Sequence, residues 1–237
     1  MSTSVVFLGV NDVGMRVYEW LCDRPSVTVE ALLTHNDQLD LVSEVEPEYL
    51  VSVGYDHLVP EEVLAVPAGG AVNLHPALLP HNRGKSPNVW SIVEDTPAGV
   101  TLHYMDADID TGGMIAQRRV ETDFSDTGKD LHRRLERAQY DLFVDTWPDL
   151  EAGTVEPTPQ DESAGTYHTV AEFEKLCELD PDAEYTVEEL LDVLRALTFP
   201  PFDNAYVELD GTRYYVEVSI RAGEDDRETR EGFLTSY

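Results

Sequence analysis

Residues 73–80 read Asn-Leu-His-Pro-Ala-Leu-Leu-Pro, and this stretch decides how the rest of the chain is interpreted. It overlaps an apolar run, residues 71–74, that predicts a buried strand. Asn73 and His75 are two positions apart, so their side chains point to the same face at the carboxyl end of that strand. Ligands bind at this end of the strands in open α/β sheets, and an amide beside an imidazole suits the stabilisation of an oxyanion. A buried histidine next to a turn asparagine explains the same pattern without any catalysis.

Short apolar runs and helical patterns alternate on both sides of this stretch. Strands are predicted at residues 4–8, 27–33, 49–53, 71–74, 100–104 and 115–120, and helices at residues 12–21, from Pro60, at 88–93 and at 127–150. The turn at residues 9–14 lacks the third glycine of a dinucleotide fingerprint, and Asp12 in it is the predicted N-cap of the first helix. Residues 34–45 are too short for a long crossover helix. The alternation predicts an α/β fold, with a Rossmann-like, mostly parallel sheet and helices on both faces, over residues 1–150.

The composition changes after residue 150, which predicts a small C-terminal α+β region over residues 151–237. Residues 153–165 are rich in Pro, Thr, Asp and Glu and are predicted to form a linker. Beyond the linker, the predicted elements are helices at 170–176 and 187–197, strands at 205–209 and 214–220, and a charged tail at 221–237. Asp210-Gly211 between the two strands is a strong signal for a β-hairpin.

The strand at residues 100–104 leads into an acidic loop, in which Asp106, Asp108 and Asp110 alternate. Their spacing resembles a calcium loop, but the glycine and the bidentate Glu of an EF-hand are missing from it, so we expect no metal. One aspartate turned towards His75 would raise the pKa of that imidazole and orient the ring.

The charge of the chain is strongly negative. Its 237 residues include 16 Lys and Arg against 47 Asp and Glu, a formal net charge of −31. A polyanion binds DNA or a large RNA poorly, so no nucleic-acid partner is expected. Lysine occurs only at Lys85, Lys129 and Lys175, and the acidic residues are spread over the whole chain. This composition favours a halophilic protein over an ordinary acidic one.

The sequence also bears on location. No apolar run approaches the roughly 20 residues of a membrane helix, and the first residues lack the basic region of a signal peptide. The two cysteines, Cys22 and Cys177, cannot form a disulfide framework. We therefore expect a cytoplasmic protein with no membrane contact.

Taken together, these motifs resemble the formyltransferase-fold family, whose enzymes use 10-formyltetrahydrofolate. The matching stretches are residues 52–55, 73–80, 83–84, 99–103 and 108–112, and the resemblance covers residues 5–150. It implies that residues 1–150 form the catalytic domain and that Asn73, His75 and Asp110 are its catalytic triad. By the same resemblance, the folate pocket is lined by Gly54, Tyr55, Ala107, Asp108, Ile109 and Thr111.

The region after residue 150 is most similar to the appended region of nucleotide-sugar N-formyltransferases, notably at residues 167–168 and 194–206. The implied acceptor is the amine of a nucleotide-linked amino sugar, although Gly113 replaces an acidic residue that is frequent in those enzymes. Arg83, Lys85 and Phe202 are the predicted substrate-binding residues, and a homodimer through the C-terminal region is a further expectation. Arg83 has a structural alternative, in which it pins the proline-rich loop. Four other functions stay open: formylation of methionyl-tRNA, formylation of another small amine, hydrolysis of formyltetrahydrofolate, and binding without turnover.

Overall fold

The computed structural model describes residues 2–9 and 11–223, and its largest unit is a six-stranded sheet. In chain order the strands are β1 (Thr3–Leu8), β2 (Val27–Leu33), β3 (Tyr49–Ser52), β4 (Gly70–His75), β5 (Arg83–Gly84), β6 (Gly99–Tyr104), β7 (Met114–Arg119), β8 (Tyr167–His168), β9 (Glu178–Leu179), β10 (Tyr206–Leu209) and β11 (Thr212–Tyr215). The helices are α1 (Asp12–Cys22), α2 (Asp40–Val45), α3 (Glu61–Leu64), α4 (Pro87–Val93), α5 (Gly128–Glu151), α6 (Val170–Cys177) and α7 (Val187–Leu197). Within the described ranges, no helix is long and apolar enough to cross a membrane.

The large sheet has the strand order β2-β1-β3-β4-β6-β7. The pairings β2-β1, β1-β3 and β3-β4 are parallel, whereas β6 is antiparallel to both β4 and β7. The prediction of a mostly parallel sheet is therefore confirmed. β4 stands at the border between the parallel and antiparallel parts, with a hydrogen-bonded neighbour on each edge.

Helices cover both faces of this sheet, as the alternation of strands and helices predicts. Along β1, Val5 and Phe7 belong to a large buried cluster that includes residues of α1 and α5. Val6 and Leu8 point to the opposite face and belong to a smaller cluster with residues of α2 and α3. Trp147 of α5 is completely buried in the large cluster. The first region thus has a core on each side of the sheet.

The turn from β1 to α1 is packed tightly against the end of β3. The N-cap of α1 is Asn11, whose side chain accepts a hydrogen bond of 2.8 Å from the N–H of Gly14. The prediction of Asp12 as the cap is therefore wrong by one position. Gly9 has a φ of +112°, and a Cβ at this position would lie 2.1 Å from the carbonyl oxygen of Val53. Because Gly9 has no side chain, the backbone of the turn can pack closely against Val53.

The C-terminal region contains α6, α7 and a small sheet in the order β11-β10-β9. β10 and β11 form the predicted hairpin, since Asp210 and Gly211 between them have φ values of +50° and +75°. Two consecutive positive φ values are the geometry of a two-residue hairpin turn. The appendage is therefore a small α+β region with one hairpin, as predicted.

The second strand of the hairpin is shorter than the sequence pattern predicts. It covers Thr212–Tyr215, whereas the sequence pattern predicts a strand over residues 214–220. The chain then leaves the ladder and packs against the end of α7, where the N–H of Val218 donates to the hydroxyl of Thr198 at 3.1 Å. The predicted tail lies outside the described residues from residue 224 onwards.

The second half of the predicted linker, residues 153–165, is attached to the large sheet. Thr158 exchanges two backbone hydrogen bonds of 2.8 Å with Met114, at the start of β7. Shortly afterwards, β8 pairs in parallel with β5, with Tyr167 opposite Arg83. The segment therefore fastens the appendage to the loops that follow β4 and β6.

Candidate active site

Asn73 and His75 lie at the carboxyl end of β4, where the sequence placed them. Asn73 is directly opposite His103 of β6, so these two side chains share a face of the sheet. Asp110 lies in the loop between β6 and β7, and its φ of +55° is in the left-handed region. This loop turns the Asp110 carboxylate back towards β4. The structure thus brings together the three residues that the resemblance identifies as catalytic.

The carboxylate of Asp110 is at the centre of this cluster. Its Oδ1 accepts a hydrogen bond of 3.3 Å from Nδ2 of Asn73, and its Oδ2 lies 3.5 Å from Nδ1 of His75. The backbone N–H of Gly84 donates to the same Oδ2 at 3.0 Å. On the other side of the imidazole, Nε2 of His75 donates to the carbonyl oxygen of Asn82 at 3.3 Å. A carbonyl oxygen can only accept, so Nε2 is a protonated nitrogen.

Burial has the largest effect on the pKa of His75. It lowers the pKa of His75 below the ordinary value, because the ring is only 6% exposed, and the Asp110 carboxylate opposes this shift without reversing it. The expectation that Asp110 keeps the imidazole charged is therefore corrected for the free protein. Burial would also raise the pKa of Asp110, but the rings of His75 and His103 and the N–H of Gly84 hold it well below its usual range. At neutral pH Asp110 is therefore a carboxylate.

His103 belongs to the cluster, although the sequence reasoning assigned it no role. Its Nε2 lies 3.3 Å from Nδ2 of Asn73 and 3.6 Å from Oδ1 of Asp110. Its Nδ1 donates to the carbonyl oxygen of Tyr104 at 2.7 Å, which fixes the tautomer. The sequence feature that could have identified His103 is its position near the end of a predicted strand. It follows Thr101 by two residues, so the two side chains lie on the same face of the sheet. Among the residues that the structure describes, no group of three or more His, Cys, Asp or Glu side chains is placed to hold a metal ion.

A cavity of 1020 Å³ opens beside this cluster, with Asn73, His75 and Asp110 in its wall. Sites for small molecules usually have about 300–1,000 Å³, so this cavity lies at the upper end of that range. We call one wall the loop side, formed by residues 54–61 and 105–109. We call the other the appendage side, formed by residues 84–89, 132, 167–170, 173, 196, 199, 202 and 204.

The two sides differ in charge. The carboxylates of the loop side belong to Asp56, Glu61, Asp106 and Asp108. The appendage side has no acidic residue among the described residues that line it, and it includes Lys85 and the rings of His132 and His168. In a chain with a net charge of −31, the appendage side is therefore the more favourable place for an anionic group.

Most of the residues predicted to bind folate lie on the loop side. They are Gly54, Tyr55, Ala107, Asp108 and Ile109. Thr111 is outside the lining of the cavity within the described chain. Its hydroxyl donates to the carboxylate of Asp106 at 2.5 Å and lies 3.2 Å from the carbonyl oxygen of Asp108. Thr111 therefore closes the acidic loop on itself, and any contact of this residue with folate stays a prediction.

The predicted substrate residues are divided by the structure. Lys85 and Phe202 line the appendage side, where the ring of Phe202 lies 5.9 Å from that of Phe199. Arg83 is outside the lining as the structure describes it. Its backbone N–H donates to the carbonyl oxygen of Thr166 at 3.0 Å, and its Nε lies 3.5 Å from the same oxygen. These contacts favour the alternative in which Arg83 holds the proline-rich loop.

Comparison with known proteins covers both regions of the chain. A family model described as "Formyl transferase" matches residues 21–147, and a model described as "N-formyltransferase dimerization C-terminal domain" matches residues 172–222. The methionyl-tRNA formyltransferase of Bacillus pumilus is 33% identical over 206 residues, which are 81% of this chain and 63% of that protein. The chain thus spans less than two thirds of the length of this relative.

Solved structures agree with the family models. A sugar N-formyltransferase from a Shewanella species has a TM-score of 0.84 and 26% identity, over 94% of this chain and 99% of that one. The formyltransferase PseJ from Anoxybacillus kamchatkensis, solved with UDP-4,6-dideoxy-4-formamido-L-AltNAc and tetrahydrofolate, has a TM-score of 0.62 and 31% identity, over 73% of this chain and 88% of that one. The resemblance drawn from the motifs is confirmed, and the chain belongs to the formyl transferase family.

Proposed function

We propose that this protein transfers the formyl group of 10-formyltetrahydrofolate to the amine of a nucleotide-linked amino sugar. The observation that carries the proposal is the cavity of 1020 Å³, whose lining contains Asn73, His75 and Asp110 together with the loop side and the appendage side, which differ in charge. The donor occupies the loop side and the acceptor occupies the appendage side, so the formyl carbon and the amine meet at the cluster.

The loop side is suited to the pterin end of a folate. The aminopyrimidine ring of a pterin presents several N–H donors, and carboxylates accept hydrogen bonds from such groups. Asp56, Asp106 and Asp108 offer carboxylates on this wall. The bound tetrahydrofolate of PseJ, to which this chain is similar, supports the same class of donor.

The appendage side is suited to a nucleoside diphosphate. Lys85 offers a positive charge for a phosphate, and the rings of Phe173, Phe199 and Phe202 offer apolar surface for a base. The chain also matches the Shewanella sugar N-formyltransferase over 99% of its length, but the Bacillus pumilus methionyl-tRNA formyltransferase over only 63%. A net charge of −31 opposes the approach of tRNA.

In the proposed reaction, the neutral amine attacks the formyl carbon, and a C–N bond forms while the carbonyl oxygen becomes negative. Nδ2 of Asn73 and Nε2–H of His75 stabilise this oxygen in exchange for their hydrogen bonds to Nε2 of His103 and to the carbonyl oxygen of Asn82. The growing charge on the oxygen raises the pKa of His75 again. Asp110 accepts the proton of the new ammonium group through a water. The carbonyl double bond then re-forms as the C–N10 bond of the donor breaks, and its electron pair stays on N10. N10 takes up the proton that Asp110 accepted through the water.

A screen of acceptors tests this proposal. Purified protein is incubated with 10-formyltetrahydrofolate and a panel of nucleoside-diphosphate amino sugars, and mass spectrometry detects a formyl increment. Calorimetric titration is expected to give micromolar binding of one such sugar and no binding of tRNA in about 1 M salt, where electrostatic contacts are screened. Formylation of methionyl-tRNA without any response to a nucleotide sugar would reject the acceptor class and retain the formyl-transfer chemistry. Hydrolysis of the donor with no acceptor formylated would favour the hydrolase.

Two side chains of the appendage side test where the acceptor binds. Lys85→Ala and Phe202→Ala are each expected to raise KM for the acceptor about tenfold, because a phosphate contact or a stacked base contributes about 1–3 kcal/mol. Neither change should alter KM for the folate donor. The matched controls are Lys175→Ala and Phe124→Ala, which alter an exposed lysine and an exposed phenylalanine outside the lining of the cavity. Equal effects on donor and acceptor would contradict the assignment of the two sides.

A homodimer through the C-terminal region is part of the proposal. Residues 172–222 match the model of a formyltransferase dimerization domain, which supports this arrangement. The hairpin also exposes apolar side chains, with Leu209, Tyr214 and Tyr215 at 47%, 52% and 51% exposure. Exposed apolar groups of this kind are typical of surfaces that another chain covers.

A further inference from the structure

We propose that Gln160, in the segment that the sequence predicts to be a linker, is a positioning residue for Asp110. The Nε2 group of Gln160 donates to the carbonyl oxygen of Asp110 and to the carbonyl oxygen of Gly112, both at 2.8 Å. The side chain thereby holds the backbone on both sides of Thr111. The inference rests on the proposed function, because it gives Asp110 a part in formyl transfer.

The backbone of Asp110 has an uncommon conformation. A φ of +55° is uncommon for a residue with a side chain, although Asp adopts it more readily than most, and contacts from the surroundings help to keep such a residue in place. In this conformation the carboxylate reaches the N–H of Gly84 at 3.0 Å and Nδ2 of Asn73 at 3.3 Å. An extended Asp110 would point its carboxylate elsewhere. The same backbone that Gln160 holds is therefore the one that aims the carboxylate at the cluster.

Gly112 limits the loop at a second contact. A Cβ at this position would lie only 1.9 Å from the carbonyl oxygen of Tyr104, so the loop is pressed against the end of β6. The loop therefore packs against Tyr104 and is hydrogen-bonded to Gln160. Little room is left for Asp110 to shift while both contacts are kept.

Gln160 is itself held in place by the segment that carries it. Before it, Thr158 is paired with Met114 by two backbone hydrogen bonds of 2.8 Å. After it, the N–H of Asn82 donates to the hydroxyl of Thr166 at 2.8 Å, and β8 pairs with β5. The Oε1 atom of Gln160 is buried without a hydrogen-bond partner among the described residues. Because two carbonyl oxygens require donors, the amide cannot turn over to satisfy this oxygen.

The test compares Gln160→Ala with Gln117→Ala. Gln117 of β7 is the matched control, because its Nε2 also donates two hydrogen bonds, to the carbonyl oxygen of Leu79 at 2.8 Å and to the hydroxyl of Thr101 at 2.9 Å. We expect Gln160→Ala to lower kcat about 100-fold with KM for donor and acceptor little changed, the effect of misplacing a reacting group by about 1 Å. We expect Gln117→Ala to keep kcat close to the wild-type value. If Gln160→Ala fails to fold, Gln160→Met keeps most of the volume and removes only the two donors.

A second readout does not require turnover. The titratable groups that face His75 are Asp110 and His103, and the carboxylate of Asp110 is the one that raises the pKa of the imidazole. If Asp110 leaves its place, the pKa of His75 falls further, and an NMR titration of the ring shows the shift. We expect this fall in Gln160→Ala or Gln160→Met, and no fall in Gln117→Ala.

The outcomes separate this inference from the proposed function. A wild-type kcat in the Gln160 variants, an unchanged titration of His75, or the same losses in Gln117→Ala would each overturn the role of Gln160. If the wild-type protein formylates no acceptor at all, the proposed function fails, and the titration of His75 still decides whether Gln160 positions Asp110.

Discussion

His75→Ala is expected to leave the protein folded and to lower kcat for formyl transfer by about 10²–10³, the cost of losing one donor to an oxyanion. The ring is buried at the end of β4 and faces Asp110 through Nδ1 at 3.5 Å. Its replacement removes a hydrogen-bond donor from the reacting oxygen and leaves Asp110 without its partner. Steady-state kinetics with 10-formyltetrahydrofolate and the formylated acceptor measure the loss.

Asn73→Ala and Asp110→Asn are expected to cause losses of similar size. Because the three residues share the Asp110 carboxylate, the double variants should lose much less than the product of the single losses. The control is His81→Ala, which removes a histidine outside the lining of the cavity and should keep its activity. A near wild-type kcat in His75→Ala, or multiplicative losses in the double variants, would show that these residues do not form a catalytic unit.

The melting temperature of the protein is expected to rise steeply between about 0.1 M and about 2 M KCl. With 47 acidic and 16 basic side chains, the folded chain repels itself in dilute buffer. The screening length is about 10 Å at 0.1 M and about 3 Å at 1 M, so added salt removes most of this repulsion. Differential scanning calorimetry over the salt series measures the effect.

A variant with fewer carboxylates tests the cause of that rise. Asp182→Asn, Glu184→Gln and Asp203→Asn together remove three exposed negative charges. The triple variant should melt higher than the wild type in dilute buffer and show a shallower dependence on KCl. A flat or falling curve for the wild-type protein would reject the halophilic interpretation.

The elements that the sequence predicted well have a strong local signal. β4 is predicted by the apolar residues around Asn73 and His75, and the hairpin is predicted by Asp210-Gly211. The antiparallel direction of β6 has no such local signal. It depends on which strand edge β6 pairs with, and that pairing is made by residues distant in sequence. The early end of β11 has the same origin, since a contact with Thr198, distant in sequence, draws the chain away from the ladder.

The site shows the same division. Asn73, His75 and Asp110 have a recognisable order, and the structure brings them together. The contacts of Gly84 and Gln160 with Asp110 join positions 26 and 50 residues apart, and no periodicity or spacing reports such contacts. A backbone N–H has no signal in a sequence at all. A glutamine in a polar segment has the composition of a linker until its carbonyl partners are known.

Because β4 is hydrogen-bonded on both edges, the amide of Asn73 and the ring of His75 are oriented before any substrate arrives. Water molecules around a free amine would have to turn as charge develops on the formyl oxygen, whereas dipoles fixed on a central strand require little reorganisation. The residues that we propose to bind the two ligands lie elsewhere, on loops and on the appendage, where substitutions are tolerated more readily. One fixed reaction centre can therefore serve different amines as the walls around it change.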